Sequence, residues 1–136
     1  MFTKDELEYM KQLSSLFGHS PRAINRYVNI YRIIKAHKGM RVTGDFSRDE
    51  FIPIMFILAV IVGYSVFAQE FIQKITEADE KQNLKNFISA SGLNDKIVTA
   101  TSFFINNEIG GMPMENFKRN IELISRFSFR TLLSHA

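Results

Sequence analysis

Arginines and asparagines recur in one short stretch of this sequence at a spacing that gathers them on one side of a helix. With Arg22 as origin and about 100° per residue, Arg26 falls at about +40°, Asn29 at about −20°, Asn25 at about −60° and Arg32 at about −80°. Ala23, Ile24, Tyr27, Val28, Ile30, Tyr31 and Ile34 fill the arc from about 80° to about 240°, so the helix has one apolar face and one Arg/Asn face. A guanidinium presents a planar fork of donors that matches a carboxylate or a phosphate bidentately. A row of such groups is chemistry for holding an anion, and it supplies no nucleophile. From Gly18 to Arg41 the basic residues are Arg22, Arg26, Arg32, Lys35, Lys38 and Arg41, and no acidic residue intervenes. Six positive charges against none give a local +6 inside a chain whose total is +3. A solvated face whose arginines pair with acidic residues elsewhere in the fold is the bland alternative.

Bond-breaking chemistry finds no comparable footing. None of the seven glycines is followed by Lys, so the chain lacks the turn in which backbone amides cradle phosphates ahead of a Lys-Ser/Thr pair. His19, His37 and His135 are too scattered for two imidazoles to meet one metal from adjacent helical turns. Zero Cys removes thiolate ligands, cysteine nucleophiles and disulfides together, which suits a reducing compartment, so the expected location is the cytoplasm. The carboxylates sit mostly at helix starts, where capping accounts for them. The chain alone is therefore expected to have no catalytic residues, no metal site and no enzymatic activity.

The elements that must position the Arg/Asn face can be read from their boundaries. Thr3-Lys4-Asp5-Glu6 is a capping box opening a first helix to about Leu16, which Gly18 ends. Ser20-Pro21 is an N-cap followed by Pro at the first helical position, and the second helix runs to about Lys38 with Gly39 as its C-terminal stop. Residues 40–46 read as a loop. Ser47 to Glu50 repeats the capping-box pattern ahead of an apolar run, with Pro53 placed to shift or bend the start.

That run, Phe51 to Ala68, holds no charged residue, close to the length that spans a bilayer. Pro53, Gly63, Tyr64 and Ser65 interrupt it, and charges flank it closely, so it is expected to be the buried centre of a helical bundle and not a membrane span. Phe56, Ile57, Val60 and Ile61 should be among its most buried residues. A break is expected near Gly63, then a helix over about 65–75, one capped by Asp79 and stopped by Gly92, one from Asp95 to about Asn107 capped by Asn94, and a last one from about Met114 to Phe127 or beyond. No sustained period-two alternation is present. The expected fold is all-α, a single helical domain over residues 1–136 with about six to seven helices, as its length allows.

The pattern Gly18-x-Ser20-Pro21-Arg22, followed by Arg26-Tyr27-x-Asn29-x-Tyr31-Arg32, resembles the C-terminal helical region of KAP-type P-loop NTPases, an AAA-like branch of ATPases. Looser matches follow at Gly63-Tyr64, where the family often has Pro two places after the Gly and this chain has Ser65 and Val66, and at Arg126-Phe127-Ser128-Phe129. The resemblance implies a helical lid and sensor module, separated from its nucleotide core as a piece of a longer protein or as a detached relic. It also implies that Arg22 is held over the nucleotide as the sensor, with Arg26 beside it and Asn25, Asn29 and Arg32 as the supporting polar face. ATP and magnesium would belong to a full-length parent and not to this chain. The implied partner is a P-loop core in cis or in trans, with homo-oligomerisation open. The alternative is a stand-alone helical binding module whose Arg/Asn face grips nucleic acid or an acidic protein. A membrane protein anchored by Phe51 to Ala68 trails both.

Overall fold

Twelve consecutive residues without a charge, Phe51 to Val62, leave a helix no amphipathic face to turn toward water, and the fold wraps other helices around it. The computed structural model describes residues 2–39 and 47–134. Its order is α1 (Lys4–Phe17), α2 (Pro21–Gly39), α3 (Arg48–Gly63), a 3₁₀ turn (Ser65–Phe67), α4 (Ala68–Glu77), α5 (Leu84–Ala90), α6 (Asp95–Ser102), α7 (Asn107–Gly110), α8 (Met114–Lys118) and α9 (Ile121–Ser134). The fold is all-α: among the described residues the only β-pairing is an isolated bridge between Asn83 and Pro113. The expected loop over residues 40–46 lies outside the described residues.

Helix α3 is the axis of the bundle. It packs against α1, α2, α4, α8 and α9, and every residue from Phe51 to Val62 is buried, with Phe56, Ile57, Val60 and Ile61 all at 0% exposure. Phe56 meets Phe117 of α8 edge-on at 6.2 Å. Pro53 sits inside α3 without breaking it. Its missing N–H deprives only the carbonyl of Asp49, an exposed residue that water can reach, so the usual penalty of an interior proline is small there. Ser47 stands at the N-cap without making a side-chain capping bond, so the second expected capping box does not form.

The chain turns sharply after Gly63. Helix α3 and the segment from Ser65 to Glu77 are bent by 109° at Tyr64, and no single helix among the described residues is long and apolar enough to cross a membrane. The tight packing of α1 on α3 requires the glycine, because a Cβ at Gly63 would lie 2.1 Å from the Leu16 carbonyl oxygen.

Nine α-helices appear among the described residues where six to seven are expected, for identifiable reasons. The helix expected from Asp79 starts instead at Leu84, capped by Asn83, whose Oδ1 accepts from the Asn86 amide at 2.8 Å. Asp79 caps only a turn, accepting from the Lys81 amide at 3.0 Å. The helix after Asn94 ends at Ser102, and Asn106 caps a separate short helix, accepting from the Ile109 amide at 2.9 Å. The last expected helix is divided at Arg119 and Asn120 into α8 and α9.

Candidate functional site

Helix α2 carries the Arg/Asn face, and its start is set by local chemistry. Gly18 takes φ +106°, a conformation that L side chains rarely adopt, and so closes α1 and redirects the chain. Ser20 Oγ accepts from the Ala23 amide at 3.1 Å, and Pro21 occupies the first helical position, where no N–H is needed.

The opposite side of α2 is fixed to the core. Tyr27 is fully buried, stacks on Phe17 with ring centroids 4.0 Å apart, and donates its hydroxyl to the Met55 carbonyl at 2.9 Å. Burial first, and then the neighbouring Tyr9, push its phenol well above the ordinary range. Tyr31, also fully buried, donates to Glu6 Oε2. Ile30 and Ile34 complete the buried side.

Two of the lysines counted in the basic segment are taken up internally. Glu6 of α1 is fully buried, and its Oε1 accepts from Lys35 Nζ at 2.6 Å and from the Thr3 amide at 2.8 Å. Burial alone would raise the Glu6 carboxyl, but the bonds from Lys35, the Thr3 amide and Tyr31 outweigh it and hold the group below its ordinary 4.5. Lys35 also lies over the Phe2 ring, 5.6 Å from its centroid. Lys38 donates to the side chain of buried Asn120 and pairs with Glu50 at 3.3 Å, tying α2 to α3 and to the start of α9.

The arginines behave differently. Arg22, Asn25, Asn29 and Arg32 are exposed, and Arg26 is half-buried with its Nε enclosed and unbonded. Among the described residues no acidic side chain pairs with Arg22, Arg26 or Arg32. Among the described residues the arginine that forms ion pairs is Arg48, at the start of α3. Its Nε and Nη2 grip Glu108 bidentately at 2.8 Å each, and Nη1 lies 3.4 Å from Asp5. The hydrogen bond to Glu108 raises the Arg48 guanidinium and lowers the Glu108 carboxyl. Arg48 thus clamps α1, α3 and α7 and was not marked by the sequence pattern, because its partners lie far along the chain.

The sequence motif therefore divides in two. Gly18, Ser20, Pro21, Tyr27 and Tyr31 have structural duties within the fold, whereas Arg22, Arg26, Asn29 and Arg32 have none that the described residues supply. The donors that this face of α2 could offer an anion such as an ATP phosphate are the guanidinium groups of Arg22, Arg26 and Arg32 and the side-chain amides of Asn25 and Asn29. Among the described residues no group of three His, Asp or Glu could hold a metal ion. A separate, largely apolar groove of about 700 Å³ between α1 and α2 is lined by Leu7, Met10, Phe17 and Ile24, with Lys4, Glu8, Lys11 and Ser14 of α1 also lining it. No family model, curated protein or solved structure matches this chain.

The division can be checked by stability. Ile34→Ala should cost about 2–5 kcal/mol, because it empties space behind a fully buried side chain. Arg22→Ala should stay within about 0.5 kcal/mol of the parent, because the side chain is exposed and unpaired. Urea unfolding of the two variants measures both.

Proposed function

We propose that this chain is a helical docking module whose Arg/Asn face on α2 engages an anionic surface, and that in its most specific form it is the lid of a KAP-like P-loop ATPase. The observation that carries the reading is the row Arg22, Arg26, Asn29 and Arg32. It lies on a helix whose every other motif residue is committed to the fold, and it lacks acidic partners among the described residues. In the lid reading, a core in cis or in trans supplies the phosphate cradle and magnesium ligands, and Arg22 approaches the terminal phosphate from the first turn of α2. The positive end of the helix dipole adds to its charge there. Arg26, one turn later, holds either the same phosphate or an acidic side chain of the core. Rotation of the bundle as a rigid body would then report the nucleotide state.

The second reading, a stand-alone module that binds nucleic acid or an acidic protein through the same residues, draws on the same exposed face. Base stacking gains no support, because Tyr27 and Tyr31 are fully buried and stacking needs exposed rings.

A photo-crosslinking residue placed at Asn29, with the exposed Ser89 of α5 as the control position, separates these readings in cells. The lid reading expects an adduct at position 29 to a protein carrying a Gly-x-x-x-x-Gly-Lys-Ser/Thr loop. Adducts to nucleic acid, or to a protein without that loop, would overturn the lid and leave the stand-alone module. An adduct yield at position 29 no greater than at position 89 would overturn the docking face itself. The purified chain is also expected to release no phosphate from ATP. Turnover that follows the protein through purification and disappears on substitution within it would overturn the proposal.

A further inference from the structure

The outer edge of α2 is not purely polar. Ile33 falls about 20° from Arg22 on the helical wheel, inside the Arg/Asn face, and is 42% exposed. Ala36, at about −40°, is exposed as well. Arg22, Arg26, Asn29, Ile33 and Ala36 thus follow one another at steps of four, three, four and three residues, the spacing of a seam that packs along a second helix. Its N-terminal half carries guanidinium groups and its C-terminal half is apolar, with Asn25 and Arg32 alongside.

We propose that this seam packs against an amphipathic helix of a partner protein, with acidic side chains opposite Arg22, Arg26 and Arg32 and an apolar side chain seated on Ile33 and Ala36. The inference rests on the reading of α2 as a docking face, not on its lid form in which Arg22 meets a phosphate, and names the element that docks there. Charge complementarity selects the acidic partner: the segment from Gly18 to Arg41 contains no acidic residue, and the three arginines have no ion-pair partner among the described residues.

Ile33 selects protein over a phosphate backbone. An apolar residue bordered by arginines matches the composition of protein interfaces, whereas phosphate contacts come from charged and polar groups. The seam is also presented rigidly, because Tyr27, Ile30, Tyr31 and Ile34 anchor the reverse side of the same helix, so little ordering is required on binding. From Arg22 to Ala36 it extends about 20 Å, roughly four turns. Rim charges of this kind steer the encounter and reject wrong partners, while the apolar contact at Ile33 slows dissociation.

The test uses three fluorescent probes on the whole chain, read by anisotropy: a three-heptad helical peptide with Leu along its seam and Glu on both flanks, its twin with Lys in place of Glu, and a short DNA duplex. The Glu peptide should bind and the Lys twin should not. Ile33→Glu, and separately the double variant Arg22→Ala with Arg26→Ala, should each weaken binding about tenfold or more, with thermal melting unchanged because these side chains are not core residues. Leu7→Glu, an exposed apolar position on α1, should leave binding as it was. Peptide binding indifferent to Ile33→Glu would overturn the proposal. DNA bound through Arg22 and Arg26 without dependence on Ile33, and no peptide bound, would also overturn it while the docking face survives. Binding of neither the Glu peptide nor the duplex would remove both.

Discussion

Gly63→Ala should destabilise this protein by about 3 kcal/mol or more, opposite in sign to the usual effect of the substitution in a helix. Within a helix, Ala is favoured over Gly by roughly 1 kcal/mol, because Gly loses more backbone entropy on folding. Here the added methyl would lie 2.1 Å from the Leu16 carbonyl oxygen and 3.0 Å from the Phe17 Cα. Both are backbone atoms in the last turn of α1, immediately before Gly18 with its φ of +106°. No rotamer change relieves such a contact; α1 would have to move off α3 as a body. That displacement would disturb Leu13, Leu16 and the Phe17–Tyr27 stack together, so the cost belongs at or beyond the upper end of ordinary overpacking, about 1–3 kcal/mol. Gly110→Ala is the useful comparison. Its methyl would meet Ile105 Cγ2 at 2.9 Å, a single side-chain methyl and not the backbone of a packed helix, so a local shift of one residue relieves it and the loss should be smaller. Urea unfolding of the two variants measures the difference, and a Gly63→Ala protein as stable as the parent would refute the close-approach argument.

The same glycine shows how much of the architecture was legible. Its place before an aromatic residue was visible as a sequence feature, and a break was expected there, but its cause was not. That cause is a backbone crossing from a helix some 45 residues earlier in the chain. The central helix was legible because a charge-free run broken by Pro53 and Gly63 and closely flanked by charges fits the centre of a bundle, and the end of α1 and the start of α2 were legible because Gly18, Ser20 and Pro21 act within a few residues of themselves. The start of α5 was not. Asp79 has the right side chain for an N-cap, but the next residues leave the helical path to pair with a distant segment: the Leu84 amide donates to the Met112 carbonyl at 2.9 Å, and the Met114 amide donates to the Gln82 carbonyl at 2.7 Å. Such pairing sets where a helix can begin and leaves no local trace.

The candidate site was legible in part for the same reason. Helical spacing alone collects Arg22, Arg26, Asn29 and Arg32. It cannot separate them from Lys35 and Lys38, whose acceptors Glu6, Glu50 and Asn120 come from other elements. The basic segment is therefore two regions. Its C-terminal lysines hold the bundle together, and its N-terminal arginines face outward with Ile33 among them.

Glu6→Leu should cost about 3–5 kcal/mol at neutral pH, the other large effect expected in this molecule. The carboxylate is fully buried and accepts from three groups: the Lys35 ammonium, the Tyr31 hydroxyl and the Thr3 amide. A leucine fills the space but removes the acceptor that these three donors share, one of them charged. Removing a fully buried acceptor is costly because the buried Tyr31 hydroxyl loses its partner and the Lys35 ammonium loses its 2.6 Å ion pair. Glu6→Gln retains an acceptor oxygen and should lose less. The two substitutions also bear on pH. Because the folded carboxyl titrates below its ordinary 4.5, the unfolded chain takes up the proton first as the solution is acidified. The stability contributed by Glu6 is therefore complete above that ordinary value and is lost as pH falls through the lower folded one. Glu108, held down by Arg48, acts with the same sign but is largely exposed and adds less. Urea unfolding between about pH 7 and about pH 3 should accordingly show the gap between the parent and Glu6→Gln closing on the acid side, since protonation removes from the parent the charge that the variant already lacks. A gap that stays constant across that interval would mean that Glu6 acts as a space-filling acceptor, with no net contribution from its charge.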